Sequence, residues 1–314
     1  MPVFNLVKKF KRNAQEGISF ILRESKLYFS FSFKKRWLAL SNEKLKIYFD
    51  KYSNKYSAEF FDENKASLYW KGQELSKGLG LHMALKVNDN WYDSSCADWR
   101  IKRLSQDKLH INIIYRDIPV EESWILSLTG ENELSWDMEM LVKEQVEIRQ
   151  KKIGLFVVDK YLHWFNAAEE GEFPEGFNWE NISLNQIDSR IFGVKPEEGY
   201  PGILLEVDAE GLPLLQNSHE ELKCRAMQFE LADDKENGNY PAGSYKLGSG
   251  KIKVIEDVAV IDGYIEAAKQ AIARVIEAAK KKELAAKTFS NDKLKLFFDE
   301  NKASLYWKGQ ELSK

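Results

Sequence analysis

Three short stretches of the chain set aromatic rings among hydrogen-bonding side chains. The first is Asn90-Trp91-Tyr92-Asp93-Ser94-Ser95, with Asp98-Trp99-Arg100 close behind. The second is Tyr161-Leu162-His163-Trp164-Phe165-Asn166, and the third is Phe177-Asn178-Trp179-Glu180. A sugar ring has apolar faces and a rim of hydroxyls. A site for it needs a flat aromatic to stack on, beside Asp, Asn, Glu, Arg or His to pair with the rim. The candidate ligand-binding residues are therefore Trp91, Tyr92, Asp93, Trp99, Arg100, Tyr161, His163, Trp164 and Trp179. A β-rich chain also buries aromatics in its core. Trp136, which alternates with Leu134 and Met138, is expected inside.

Signals for bond-breaking chemistry are thinner. Asp137 and Glu139 point from one face of a strand, about 7 Å apart by strand rise, and paired carboxylates run glycoside hydrolysis. A solvated strand face is the commoner use of that pattern. Among His82, His110 and His163, the last stands out for its aromatic neighbours, although a hydrogen-bonded structural histidine is the ordinary reading. His163, Asp137 and Glu139 are thus the catalytic candidates of a chain that leans away from being an enzyme. There is no glycine-rich phosphate loop, no CxxC and no HExxH. Asp93 and Asp98 could join a calcium site, but spacing alone does not make one, so no metal and no cofactor is expected.

Composition sets outer bounds. The 314 residues, 44% hydrophobic and 13% aromatic, are enough for a packed core, and a net charge of −3 does not mark a nucleic-acid binder. Cys96 and Cys224 make no disulfide framework and are expected as two buried free thiols. No apolar run approaches the roughly 20 residues that span a bilayer, and the first residues lack the apolar core of a secretory signal. That leaves a cytoplasmic location as the default. Asn181-Ile182-Ser183 is the only glycosylation sequon. Charge is uneven. Residues 1–37 carry Lys8, Lys9, Lys11, Arg12, Arg23, Lys26, Lys34, Lys35 and Arg36 against Glu16 and Glu24. Phe4, Val7, Phe10, Ala14, Ile18 and Ile21 recur at near-helical spacing. The pattern predicts a basic amphipathic helix over 1–25, and residues 1–37 suit an anionic membrane surface. The plainer reading is a helix packed on the domain with a solvated basic face.

From Lys26 onward the pattern is β. Leu109, Ile111, Ile113 and Tyr115 alternate with His110, Asn112, Ile114 and Arg116. Leu134, Trp136, Met138, Met140 and Val142 form another single-faced run. Glycines and prolines punctuate residues 166–201 and predict a long loop region with short elements. Residues 258–287 then turn rich in Ala, Lys, Glu and Ile. Ile261, Ile265, Ala268, Ile272, Val275 and Ala279 make a heptad-like seam on a long helix.

The sequence FFDENKASLYWKGQELSK occurs twice, at 60–77 and at 297–314. Upstream, 290–299 also resembles 41–50, so the first occurrence reads as the same β-hairpin with about a dozen extra residues, 51–62, in its turn. Either a tandem array of units begins again, or a strand segment was duplicated by engineering. Identical hairpins compete for one slot in a sheet, which is a route to strand swapping and edge association. The domain plan is a basic segment over 1–25, an antiparallel β-sandwich over 26–256 and a helix or linker over 257–287. A second copy, over 288–314, of the hairpin at 53–77 completes it.

The many long antiparallel strands, with NDNWYDSSCADW, SWILSLTGENELSWDMEM and KYLHWFNAAEEGEFPEGFNW, resemble the galactose-mutarotase-like supersandwich domains over roughly residues 40–256. That resemblance implies a carbohydrate partner. The histidines and glutamate of the mutarotases find no residue-by-residue match here, which favours binding over catalysis. The expected function is a non-catalytic polysaccharide-binding module, one unit of a tandem array. One alternative is a carbohydrate-active lyase, epimerase or hydrolase. Another is an assembly protein that self-associates through helix 258–287 or hairpin 290–314.

Overall fold

The computed structural model describes residues 18–23, 26–54, 62–179, 181–182, 190–232, 235, 238–286, 288–290, 294–299, 302–307 and 310–311. Packing divides the chain into two compact units, 1–262 and 263–314. The first unit opens with β1 (Ile18–Arg23), β2 (Lys26–Ser41), β3 (Leu45–Asn54), β4 (Asp62–Trp70), β5 (Gln73–Glu74), β6 (Ser76–Val87) and β7 (Asn90–Asp93). A short 3₁₀ turn (Ser94–Cys96) follows. Then come β8 (Asp98–Ser105), β9 (Lys108–Ile114), β10 (Val120–Leu128), β11 (Glu133–Val142) and β12 (Val146–Val158). Beyond these lie β13 (His163–Asn166), β14 (Glu170–Glu172), β15 (Ile191–Val194), β16 (Gly202–Asp208), β17 (Gly211–Asn217), β18 (Cys224–Leu231), β19 (Asn239–Tyr240) and β20 (Gly243–Ile255). Helix α1 (Val258–Ala286) starts in this unit.

These strands form two large sheets, antiparallel except at one joint. The first runs β1-β2-β3-β4-β6-β12-β18-β17, with β5, β7 and β19 paired to its members. The second runs β14-β13-β15-β16-β20-β11-β10-β9-β8. The apolar alternation read from the sequence lands inward. Leu109, Ile111 and Ile113 of the second sheet are buried in one core with Leu81, Met83 and Leu85 of the first. The fold is thus the β-sandwich that the pattern predicts. Among the described tryptophans, Trp136 is buried as expected, with Trp124 and Trp70, and Trp91 and Trp179 are exposed, but the ligand-binding candidates Trp99 and Trp164 are buried.

Some local expectations change. The helix expected over 1–25 is not helical where it is described. Ile18–Arg23 is a strand paired with β2, because its near-helical spacing competes with strand partners at Leu27 to Phe31. The rest of that segment, 1–17, lies outside the described residues, and with it most of the expected membrane-facing surface. Strand β12 runs from Val146 to Val158 and is bent by a bulge between Ile148 and Gln150. Neither cysteine forms a disulfide, but Cys96 is exposed and only Cys224 is buried. Among the described residues no helix is long and apolar enough to cross a membrane.

One joint holds the N-terminal meander, β1 to β5, to the rest of the first sheet. Between Leu81↔Leu155 and Ser76↔Val157 the pairing of β6 with β12 is irregular. In this stretch Gly78 and Gly80 take left-handed φ values of 58° and 67°. That bend carries Gly80 to Ala66 for the single parallel pair between β4 and β6. A Cβ at position 80 would lie 2.0 Å from the Ala66 carbonyl oxygen, so only glycine fits. The Leu68 amide donating to Ser76 Oγ (2.9 Å) and the Leu75 amide donating to the Leu68 carbonyl (2.9 Å) complete the joint.

The core also holds a carboxyl. Glu122 of β10 accepts from Tyr115 Oη (2.6 Å) and from Trp124 Nε1 (2.9 Å) and is buried. Burial pushes its pKa up to about 7, although both hydrogen bonds favour the anion.

Two measurements test these features. Gly80→Ala should lower stability by about 3 kcal/mol, since a left-handed backbone and a hard contact act together. An unchanged urea midpoint would refute the joint. For Glu122 the folded pKa stands above the unfolded value of 4.5. The favourable state is therefore complete below 4.5 and is lost as pH rises through about 7. Stability should fall by about 3 kcal/mol between about pH 5 and about pH 8, and Glu122→Gln should flatten that dependence in denaturation curves.

Candidate functional site

The side of the first sheet that faces away from the core carries Trp91 and Trp179, the two exposed tryptophans among the described residues. The alternation of β12 puts Ile153, Leu155 and Val157 inward and Lys152, Gly154 and Phe156 outward. Across the ladders, Lys152 pairs with Ala84 and Glu230, Gly154 with His82 and Gln228, and Phe156 with Ala226. These residues share the outward face.

At one end of this face, β7 pairs Trp91 with Lys86. Lys152 Nζ lies 4.8 Å from the Trp91 ring centroid, and the ring is 46% exposed. Glu230 stands 3.9 Å from Lys152 Nζ and accepts from Gln150 Nε2 at 3.3 Å. Burial lowers the Lys152 pKa, against the pull of Glu230.

At the other end sits Trp179, held by a clamped loop. Arg225 Nη1 donates to the Pro174 carbonyl (3.0 Å) and to Asn217 Oδ1 (2.5 Å). Asn217 Nδ2 donates to the carbonyls of Pro174 and Gly176 (2.6 Å each). The Arg225 guanidinium also lies over the rings of Phe173 and Phe177. The chain then bridges from Asn178 to His219 and from Asn181 to Gln216, along the edge strand β17. Trp179 takes φ +56°, rare for a residue with a side chain. Its ring packs against Phe156 (6.1 Å between centroids) and His219 (5.8 Å) and stays 41% exposed.

Between the two tryptophans lies a buried polar floor. Gln216 Nε2 donates to Gln228 Oε1 (3.1 Å), so Gln228 Nε2 is the donor to His82 Nε2 (3.1 Å). His82 is then the neutral tautomer, protonated on Nδ1 and donating to the Gly80 carbonyl (3.1 Å). Gly154 lies under Gln228: a Cβ there would come within 2.7 Å of Gln228 Cγ. From Lys152, beneath Trp91, to Phe156, against Trp179, is four strand residues, or about 13 Å.

The other candidates lie elsewhere. Tyr92 is half-buried against the core, and Asp93 caps the 3₁₀ turn by accepting from the Ser95 amide (2.7 Å). Trp99 is buried, donates to the Ser94 carbonyl (2.6 Å) and packs on Trp124, while Arg100 is exposed on β8. Tyr161 is buried, donates to the Pro201 carbonyl (2.7 Å), and has its phenol pushed well up by burial. Trp164 is buried and donates to the Glu172 carbonyl (3.1 Å).

His163 is half-exposed. Its Nδ1 faces Glu197 Oε1 at 2.7 Å and its Nε2 lies 3.7 Å from Glu172. Asp137 and Glu139 are exposed on β11. Asp137 lines a cavity of about 550 Å³ with Arg190, Glu206, Asp208 and Lys251. Among the described residues no group of three or more His, Cys, Asp or Glu is placed to hold a metal ion.

Sequence reasoning found both end tryptophans but not the surface between them. Lys152, Gln228 and Glu230 sit on strands far apart in the chain, and only strand register brings them together. Alternation within 223–231 was the one signal that could have suggested Gln228 and Glu230.

No family model and no curated protein matches the chain. Among solved structures it is similar to the Slr1438 protein from Synechocystis sp. PCC 6803, at TM-score 0.46 and 7% identity, over 76% of this chain and all of that one. A galactose mutarotase-like protein from Lactobacillus casei ATCC 334 gives TM-score 0.41 and 11% identity over 69% of this chain and 99% of the other. Galactose 1-epimerase from Lactobacillus acidophilus NCFM gives 0.40 and 6% over 77% and 98%. At such scores these likenesses carry no argument about this chain.

Proposed function

We propose that the outward face of the first sheet binds a short stretch of polysaccharide without cleaving it, spanning Trp91 and Trp179. The observation that carries this reading is the presence of two exposed tryptophans on one face of one sheet, one over Lys152 and the other against Phe156, positions about 13 Å apart along β12. A single sugar ring cannot bridge that distance, and a short chain of them can. Stacking rings at both ends, with Lys152, Glu230 and Gln150 available to hydroxyls at the Trp91 end, is the chemistry a glycan needs. The polar floor beneath is satisfied within itself. It supports the face as a rigid platform and offers no free acid or base. A catalytic reading, as a lyase, epimerase or hydrolase, is favoured by one observation, the pairing of half-exposed His163 with Glu197 and Glu172. It requires turnover that is lost in His163→Ala.

A glycan array probed with the intact chain tests the binding reading first. Any glycan retained is then titrated. Trp91→Ala and Trp179→Ala should each weaken binding about 10-fold, while Asp137→Ala on the opposite sheet leaves it unchanged. Retention of full affinity in both tryptophan variants, or no glycan bound at all, would overturn the proposal.

A further inference from the structure

The second unit contains β21 (Thr288–Ser290), β22 (Leu294–Asp299), β23 (Lys302–Trp307) and β24 (Gln310–Glu311), paired in that order. Its register repeats that of the N-terminal meander residue for residue. Ser290↔Lys295 matches Ser41↔Lys46. Leu294↔Trp307 matches Leu45↔Trp70, Asp299↔Lys302 matches Asp50↔Lys65, and Tyr306↔Glu311 matches Tyr69↔Glu74. The first two strands are offset by 249 (294 − 45) and the last two by 237 (307 − 70). The difference of 12 is the turn insertion, so the likeness is one of four strands and their pairing as well as of sequence.

The original is not a free-standing sheet. Leu45, Ile47, Phe49, Ala66, Leu68 and Trp70 are buried in the core of the first unit. The backbone joint to β6 is the one parallel pair at Ala66 and Gly80. The copy has the same residue at each joint position, with Ala303 for Ala66, Leu305 for Leu68 and Trp307 for Trp70. Where the inward residues differ the change is apolar for apolar, as in Leu296 for Ile47 and Phe289 for Leu40. A slot that accepts one accepts the other.

We infer that the four strands of residues 288–311 seat in the place of residues 39–74 in a second molecule of this chain, so that chains associate by strand exchange. The helix decides between exchange across molecules and exchange within one. Glu256, two residues before α1, accepts from Trp70 Nε1 (3.0 Å) and from Lys71 Nζ (2.7 Å), so the helix starts at the end of the slot. Its 29 residues measure about 43 Å. Filling the slot of its own molecule would require a helix of this length to break, whereas a neighbouring molecule presents its slot to an intact one. The exchanged state makes the same pairings as the local one, so exchange is nearly balanced and governed by concentration.

Leu68→Asp and Leu305→Asp in the full chain separate the two copies. Light scattering after size exclusion and near-ultraviolet circular dichroism read mass and packing. L68D disables the local copy and should self-associate, with at least a doubling of mass, while keeping native packing. L68D/L305D should lose both. L305D alone should abolish any rise of mass with concentration seen in the unmodified chain. The inference falls if L68D and L68D/L305D have the same mass. It also falls if L68D is a folded monomer that depends on Leu305, since the exchange would then be internal.

Discussion

The contact between the Ala66 carbonyl and Gly80 is the constraint on which the rest of the first sheet depends. Every other neighbour in that sheet is joined antiparallel, over at least two residue pairs. Here two strands run parallel and touch at one pair, in a bend made by two left-handed glycines. On one side lies a meander that brings Leu45, Ile47, Phe49 and Leu68 to the core. On the other lie β6, β12, β18 and β17, whose outward face carries both exposed tryptophans. The residue that makes the joint, Gly80, also accepts the hydrogen bond that sets the His82 tautomer. The attachment of the meander and the polar floor of the candidate site therefore share one peptide.

That shared peptide explains why the floor is rigid. Gln216, Gln228 and His82 satisfy one another and end on a backbone carbonyl, so none of them is left searching for water. Trp179 is held from the opposite direction, through Arg225 and Asn217 at the end of β17 and β18. Its left-handed backbone is affordable because the flanking loop is fixed at Pro174, Gly176, Asn178 and Asn181. The site is thus built from two supports that meet at Gln216, whose side chain donates to Gln228 in the floor and whose backbone bridges to Asn181 of the loop.

Much of the architecture was legible in the chain. Period-two alternation at 109–115 and 134–142 gave strands whose inner residues are the ones found buried. The comparison of 290–299 with 41–50 gave the hairpin and its turn insertion, while its register is a finding of the structure. The N-terminal helix was misjudged because apolar spacing in a short segment fits both periods, and pairing with β2 decides for the strand at 18–23. Of the site, the two ring positions were legible because tryptophan among polar neighbours in a punctuated region is conspicuous. Trp99 and Trp164 looked the same in sequence and are buried, since a polar neighbour in the chain can point the other way in space. Lys152, Glu230 and Gln228 were not legible, because their proximity arises from ladders linking β12 to β18.

The 12-residue difference between the two meanders bears on the order in which the chain finds its structure. In the C-terminal copy only two residues separate Asp299 from its partner Lys302. In the N-terminal copy the last pair, Ser53↔Asp62, encloses eight. The shorter turn costs less entropy to close, so the copy that arrives last in the chain is the one that forms faster. On the ribosome the N-terminal meander emerges first and has the slot to itself. When a whole chain collapses from denaturant, that head start is gone and, under the exchange proposed above, the two meanders race for one place. The product of refolding then depends on the history of the chain as well as on its sequence.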